Sequence, residues 1–500
     1  MRFCTAYLLT ACCAAVILVR PAVAQEAAEQ DKATQAGSAA DEDKGTQTNQ
    51  QKPDQPQAAQ TTGDRPLPGQ APGTGQKPES PHAGGTDPNL PQPESKAASL
   101  SKGTQLSSQD SEAVKKKEFA TPDLPPKWAR VPQYHWKYFS TLLGFAGVYD
   151  YNGFSQDTAS TTQVERQRDQ WDDRSTRFIL LGSIGPESYQ AHYYAAYSWN
   201  GFDAHENGKK TWSFTDLIIT APVGSLGALT FGKTKEPFVY EIVGDATFLP
   251  QIERVLNPFF TSRNVGLQLS NTVFQKRMTY TLGWFNQWWV QKTVFSDTGN
   301  DFVGRVTGLI SINHDGSRYL HVGGSLRYSG ANNGVIDLRG RAESNVSSYY
   351  VDTGKIPASN QKEFALEGLW ARDRYSVLTE YVRSQVNATN IPNPSFYGFY
   401  VTGSVFLTGE HRPYDRNVGF ARRPIPQRRW GAVELTARYS HLDLDDKSIH
   451  GGIMDKETVD LNWFLNRRWK LGVDGGFVHL ERADLNGYTE ILQTRIQYVF

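Results

Sequence analysis

The sequence predicts an all-β fold: a transmembrane antiparallel β-barrel of sixteen strands, preceded by a disordered N-terminal arm. Three observations predict it. After Trp128 polar and apolar residues alternate with period two, and no apolar run approaches the roughly 18 residues of a membrane helix. The first 24 residues have the layout of an export signal. The final strand alternates up to Tyr498-Val499-Phe500, with Tyr498 and Phe500 as the terminal aromatic signal expected to engage the barrel-assembly machinery. Charge and hydropathy remove two other classes. The 52 Lys and Arg balance 52 Asp and Glu, which argues against a nucleic-acid partner, and a mean hydropathy of -0.53 argues against a helical membrane bundle.

The export signal, residues 1–24, has Arg2 as its positive end, an apolar run from Ala6 to Val19, and Ala22-Val23-Ala24 as a small-x-small cleavage site. A mature chain starting at Gln25 is expected. The rival reading, acylation of Cys12 after Leu9-Thr10-Ala11, is weaker because the apolar run before Cys12 is short and continues past it. Cys4, Cys12 and Cys13 all lie here, so the mature chain can form neither a disulfide framework nor a thiolate metal site, and no cofactor is expected.

Residues 25–127 are rich in Gln, Pro, Gly, Ser, Thr and Ala, with Phe119 as the only aromatic. Such a segment cannot bury enough apolar surface to offset its chain entropy, so a disordered periplasmic arm is expected. A flexible chain of that length has an r.m.s. span on the order of 50 to 60 Å, suiting it to be a tether or a plain spacer.

Residues 128–500 hold all 12 Trp and are expected to form the barrel. Gln493, Arg495 and Gln497 interleave with Leu492, Thr494, Ile496 and Tyr498, and His321, Ser325 and Arg327 interleave with Leu320, Val322, Leu326 and Tyr328. Candidate strands number about 17; bacterial single-chain barrels use an even number, and Glu343 to Asp352 is the weakest candidate. A soluble β-sandwich would alternate too. The export signal weighs against it, as do the aromatics placed at expected strand ends, Tyr149/Tyr151, Trp199, Trp288/Trp289, Tyr349/Tyr350 and Tyr397/Tyr400, where interfacial girdles form.

Residues 1–127 carry 13 basic and 15 acidic side chains, leaving 39 and 37 for the barrel, so any ion selectivity must come from local placement. Alternation sends Arg177, Arg305, Arg327, Arg438 and Arg495 to the lumen. On the lipid face near the midplane each would cost about 2–4 kcal/mol. Two readings of this lumen-lining set stay open. The guanidinium forks suit oxyanions, or they pair with carboxylates such as Asp216, Glu380, Glu434 and Asp474 and brace the wall.

Catalytic signals are weak. Ten His are scattered without a metalloprotease, nucleophile-elbow or phosphate-loop pattern, and His192 or His321 beside a lumen Ser reads more readily as polar lining than as a hydrolase pair, so no enzyme is expected. One connection is unusual. Residues 234–262 contain Lys235-Glu236-Pro237-Phe238, Glu253-Arg254 and Asn257-Pro258-Phe259-Phe260, a composition poorly suited to bulk water, and are expected to fold into the barrel as a constriction loop.

Several stretches carry a resemblance: Phe231-Gly232-Lys233-Thr234-Lys235-Glu236-Pro237-Phe238, Glu253-Arg254 followed by Arg263-Asn264-Val265-Gly266-Leu267-Gln268, and Val351-Asp352-Thr353-Gly354. With them stand Leu407 to Tyr414, Gly431 to Ser440, and Leu461 to Asn466. From about Arg174 to Phe500 the chain resembles the phosphate-selective porin O and P family. The resemblance implies a sixteen-stranded outer-membrane barrel assembled as a homotrimer. It also implies constriction contacts at Lys235, Arg254, Arg263 and Asp216, with Arg254 matching the family's loop Arg and Asp216 its wall Asp. The chain departs from the selective members: Ile242 stands at the loop Lys position, Asp245-Ala246 at the Ser pair, and the adjacent Arg pair is spread to Arg174 and Arg177. Losing a cation and gaining a carboxylate weakens a dianion site, so strict phosphate selectivity is not expected.

The expectation is thus an outer-membrane channel, embedded in lipid, passing small hydrophilic solutes with a preference for anions such as phosphate or polyphosphate. The alternative is a barrel that mainly anchors the envelope through its arm.

Overall fold

The computed structural model describes residues 133–186, 188–199, 212–288 and 298–500. The expected signal, the arm and Trp289 lie outside these residues. Sixteen strands form one antiparallel ring. They are β1 (Phe139–Gln156), β2 (Gln170–Ile184), β3 (Ala191–Trp199), β4 (Trp212–Pro222), β5 (Ala228–Thr234), β6 (Asn264–Val273), β7 (Met278–Asn286) and β8 (Asn300–Ile312). The second half comprises β9 (Arg318–Gly330), β10 (Tyr349–Arg372), β11 (Tyr375–Ala388), β12 (Ser395–Phe406), β13 (Ala432–Asp446), β14 (Ile449–Phe464), β15 (Trp469–Arg482) and β16 (Leu485–Val499). Strand β16 pairs back onto β1 from Ala146↔Val499 to Gln156↔Thr489, which closes the ring and removes its edges. Two shorter strands lie beside the ring: Gln133–Trp136 folds back on β1, and Val335–Arg341 pairs with the first part of β10.

The seventeenth candidate strand resolves into β10. Its 24 residues take in the end of the weak candidate, Tyr349 to Asp352, and all of the one after 359, while residues 343–348 are loop. Asp352-Thr353-Gly354 reads as a turn, but Gly354 takes a positive φ of 62° at a register shift and the strand runs on through it.

Alternation sorts the faces as expected. On β8, Phe302, Val306 and Ile310 are exposed outward while Val303, Arg305, Thr307 and Leu309 are buried inward. On β9, Leu326 and Tyr328 face out and Ser325, Arg327 and Ser329 face in. A belt of exposed apolar side chains on the outer wall is stable only against lipid. Leu326, 69% exposed, gives a test: Leu326→Arg should lower barrel stability by about 2–4 kcal/mol in urea unfolding from lipid bilayers, whereas Leu326→Val should change it little. Two of the expected girdle aromatics face inward instead. Tyr350 donates to Thr489 (3.1 Å) and Tyr400 to Glu380 (2.7 Å), each buried because its hydroxyl finds a lumen partner.

Two bulges break the alternation where it matters. Tyr149 pairs with Asp173 and Val148 with Ser175, so Arg174 is an extra residue in β2. Ordinarily positions three apart lie on opposite faces of a strand. The bulge turns Arg174 and Arg177 to the same side. A second bulge in β4 leaves Thr215 and Asp216 both buried.

Three connections enter the lumen. The 234–262 loop brings Phe238, Val239, Ile242, Leu256 and Phe259 into a buried cluster with wall residues such as Val382 and Leu442, which accounts for its Phe, Leu and Pro content. Residues 342–345 cross to the opposite wall, Ser344 bonding Asn152 (2.9 Å) and Asn345 bonding Asp172 (2.7 Å). The third, 407–431, folds in from the rim of short turns. Its Phe420 ring stacks on Tyr240 of the constriction loop at 4.1 Å, and Arg305 donates to the Gly419 carbonyl (2.9 Å).

Candidate functional site

The constriction loop takes most of its anchors from one side of the wall. Its single helical turn, Tyr240–Val243, presents two backbone N–H groups to the buried Glu380 carboxylate, from Tyr240 (2.6 Å) and Glu241 (3.1 Å). Glu241 in turn accepts from the N–H groups of Val255 (3.0 Å) and Leu256 (3.1 Å), closing the loop on itself. Wall donors hold its carbonyls: Ser325 that of Phe238, Asn462 that of Pro250 (2.6 Å), Arg438 that of Glu253 (3.1 Å) and Arg495 that of Ile252 (2.7 Å). These anchors come from β9, β11, β13, β14 and β16. The opposite side of the loop faces β1 to β4 across a cavity of about 110 Å³, bridged at one point by Arg174 on β2 and Glu253 on the loop.

Two groups of lumen cations bear on the constriction. In the first, every guanidinium is engaged by carboxylates. Arg305 makes a two-point contact with Glu367 (3.1 and 2.5 Å), and Arg327 pairs with Glu236 and Glu363 (both 2.7 Å) and with Asp301 (3.3 Å). Arg438 pairs with Glu343, and Arg412 with Glu434. Arg495 grips Asp150 (2.7 and 2.6 Å) and shares Glu253 (2.8 Å) with Arg174 (2.7 Å). These side chains face the lumen as alternation predicts, but their donors brace the wall and the loop. Arg263 pairs with Asp216 at 3.4 Å and so belongs with them.

The second group is Arg177, Lys235 and Arg254. Among the described residues none of the three forms an ion pair. Arg177 donates Nε to Ser198 (2.9 Å), Lys235 to the Gly244 carbonyl (2.5 Å), and Arg254 Nε to the Glu241 carbonyl (2.6 Å). All three line the cavity, with Arg174, Arg263 and Arg495 beside them and Asp245 and Glu253 as its carboxylates. Ile242, expected from the family resemblance to stand at the loop Lys position, is buried in the loop's own core and is not among the residues lining the cavity. Lys235 enters from the end of β5 and reaches Gly244, next to Asp245, from the wall side. Asp245 also caps a short turn by accepting from the Thr247 N–H (2.8 Å), so only part of its charge is free to oppose an anion.

The loop does not itself span the membrane, and its ammonium is poised. Burial, then nearby Arg263, push Lys235 down to about 7. A lysine with a lowered pKa is charged below that value and neutral above it. Any preference for anions should therefore be stronger at pH 6 than at pH 9, and Lys235→Gln should flatten that dependence, read as the zero-current potential under a salt gradient at each pH.

His321 and His192 both lie on strands of the wall. His321 bonds Tyr414 (2.6 Å) and Glu367 (2.8 Å), while Ser183, opposite His192 in the β2/β3 register, shares its hydroxyl with Ser140 (2.8 Å). Among the described residues no group of three or more His, Cys, Asp or Glu side chains could hold a metal ion. Tyr498 and Phe500 close the ring: Phe500 N–H donates to Phe145 O (2.8 Å), and the Tyr498 ring packs 4.7 Å from Trp469.

Sequence reasoning missed two parts of the site. Leu142, Ala146, Val148, Ile179 and Leu181 line the cavity, although a barrel lumen is normally polar. The signal was present in Leu142-Leu143-Gly144-Phe145-Ala146-Gly147-Val148, which lacks polar residues on both faces. The inward path of 407–431 had no comparable signal.

A closed sixteen-stranded barrel with an apolar exterior and a loop-narrowed interior defines an outer-membrane porin. The chain belongs to the family described as phosphate-selective porin O and P, which it matches over residues 148–500. Among curated proteins it is similar to an uncharacterized protein of Caulobacter vibrioides, 30% identical over 121 residues, covering 23% of this chain and 24% of that one. The match thus spans about a quarter of that relative. Among solved structures it is similar to the anion-selective porin from Comamonas acidovorans, at TM-score 0.49 and 11% identity over 72% of this chain and 100% of that chain. It is also similar to the outer membrane channel DcaP of Acinetobacter baumannii, at TM-score 0.48 and 10% identity over 73% and 98%.

Proposed function

We propose that the chain is a passive, anion-preferring channel for small solutes, with the path running between the constriction loop and the β1 to β4 wall. One observation carries this reading. Three lumen cations that form no ion pair among the described residues, Arg177, Lys235 and Arg254, line one cavity. A near-neutral barrel thereby acquires a locally positive constriction, and an anion entering it exchanges hydration for charge-assisted hydrogen bonds. Asp245 and the buried position of Ile242 make it a poorer dianion site than the family's description implies, so phosphate is one permeant anion among several.

The reading extends to the rest of the chain. Residues 1–24 direct export, residues 25–127 form a periplasmic arm, and Tyr498 and Phe500 serve recognition by the assembly machinery. The short strands β3 to β7, with Tyr197, Trp212 and Phe214 packed outward as an aromatic patch, form the contact face of a homotrimer. The test is the zero-current potential of the purified protein in planar bilayers under a tenfold potassium chloride gradient. Selectivity for chloride supports the reading, and selectivity for potassium or absence of conductance overturns it.

A further inference from the structure

The chemistry of the cavity is two-sided. Along β1 and β2 the inward positions nearest the loop are Leu142, Gly144, Ala146 and Val148, then Ile179 and Leu181, and the loop faces them with Leu249 and Ile252. The strands are apolar outward as well, at Leu143, Phe178 and Leu180. Lipid accounts for the outer face. It does not account for the inner one, where polar residues would be the ordinary choice. The cations line the same cavity as this apolar strip: Arg177 on β2 itself, Lys235 just past the end of β5, and Arg254 on the loop.

A hydrated inorganic anion gains nothing from the strip and must shed water against it. An anion with an apolar body is matched twice, its head by the guanidinium and ammonium donors and its body by the aliphatic wall. We infer that the constriction selects small organic acids, a carboxylate on an aliphatic chain of several carbons, over phosphate and chloride. This rests on the anion-preferring channel proposed above and names its substrate class. The Asp245 carboxylate beside Lys235 fits the inference, since it disfavours a dianion more than a monoanion. The Arg495–Asp150, Arg174–Glu253 and Arg263–Asp216 pairs engage the cavity's other cations, leaving Arg177, Lys235 and Arg254 for a carboxylate head.

The experiment is block of chloride current through the full-length channel in planar bilayers by acetate, butyrate, hexanoate and phosphate, with the zero-current potential recorded on the same membranes. Rising potency with chain length is expected, by about twofold or more per added methylene, with phosphate weaker than hexanoate. Ile179→Ser, which keeps every cation, should flatten the series. The wild-type series stands by itself if that variant fails to fold. A flat wild-type series in a chloride-selective channel overturns this inference and leaves the channel reading standing, whereas potassium selectivity overturns both.

Discussion

Arg254→Glu is expected to abolish the anion preference, lowering the chloride-to-potassium permeability ratio by about tenfold or more. A unit charge about 5 Å from a passing ion contributes roughly 3 kcal/mol at an effective dielectric constant of 20, and this change shifts the constriction by two charges. Counter-ions in the wet lumen screen part of that. The guanidinium has two roles, since its Nε also donates to the Glu241 carbonyl (2.6 Å) and helps close the loop. Arg254→Lys separates them. It keeps the charge and loses the fork, so it should retain most of the selectivity even if the loop loosens. If Arg254→Glu leaves the zero-current potential unchanged, the path does not pass this side chain.

Glu380→Ala is expected to release the loop without unfolding the barrel. The carboxylate is buried and receives the N–H groups of Tyr240 and Glu241 and the hydroxyl of Tyr400 (2.7 Å). Each donor left without a partner costs about 1–3 kcal/mol, enough to destabilise the closed position of a segment that has no strand neighbours. The strand ladder does not use this side chain. Single-channel conductance should rise by about twofold with noisier open current, while circular dichroism and gel mobility of the folded form stay as in the wild type. Unchanged conductance would show that the remaining anchors, such as those from Asn462 and Arg495, hold the loop by themselves.

How far these features could be read in advance depended on how local their causes are. Alternation is set residue by residue, so the inward direction of Arg305, Arg327, Arg438 and Arg495 followed from the sequence. Whether each is free or paired did not, because the partners are distant: Glu367 lies 62 residues from Arg305, and Asp150 lies 345 residues from Arg495. The two bulges were hidden for a similar reason. An extra residue in β2 is defined only against its neighbour β1, and it decides that Arg174 joins Arg177 in the lumen. Residues 407–431 carry no periodicity, and what draws them inward is Tyr240, Arg305 and Glu434 on other elements. The apolar strip at Leu142–Val148 is written in the sequence as a break in alternation, a signal that sequence reasoning passed over.

The central claim is that solutes pass between the loop and the β1 to β4 wall beside unpaired cations. The sequence has no cysteine after Cys13, so single-cysteine variants report cleanly. Val148→Cys lines the cavity, and Ser325→Cys lies under the loop on the anchored side. With current recorded during exposure to anionic and cationic methanethiosulfonates, Val148→Cys should be modified and blocked, faster by the anionic reagent. Ser325→Cys should stay inert. Block at Ser325→Cys with none at Val148→Cys, or faster reaction with the cationic reagent, would contradict the account.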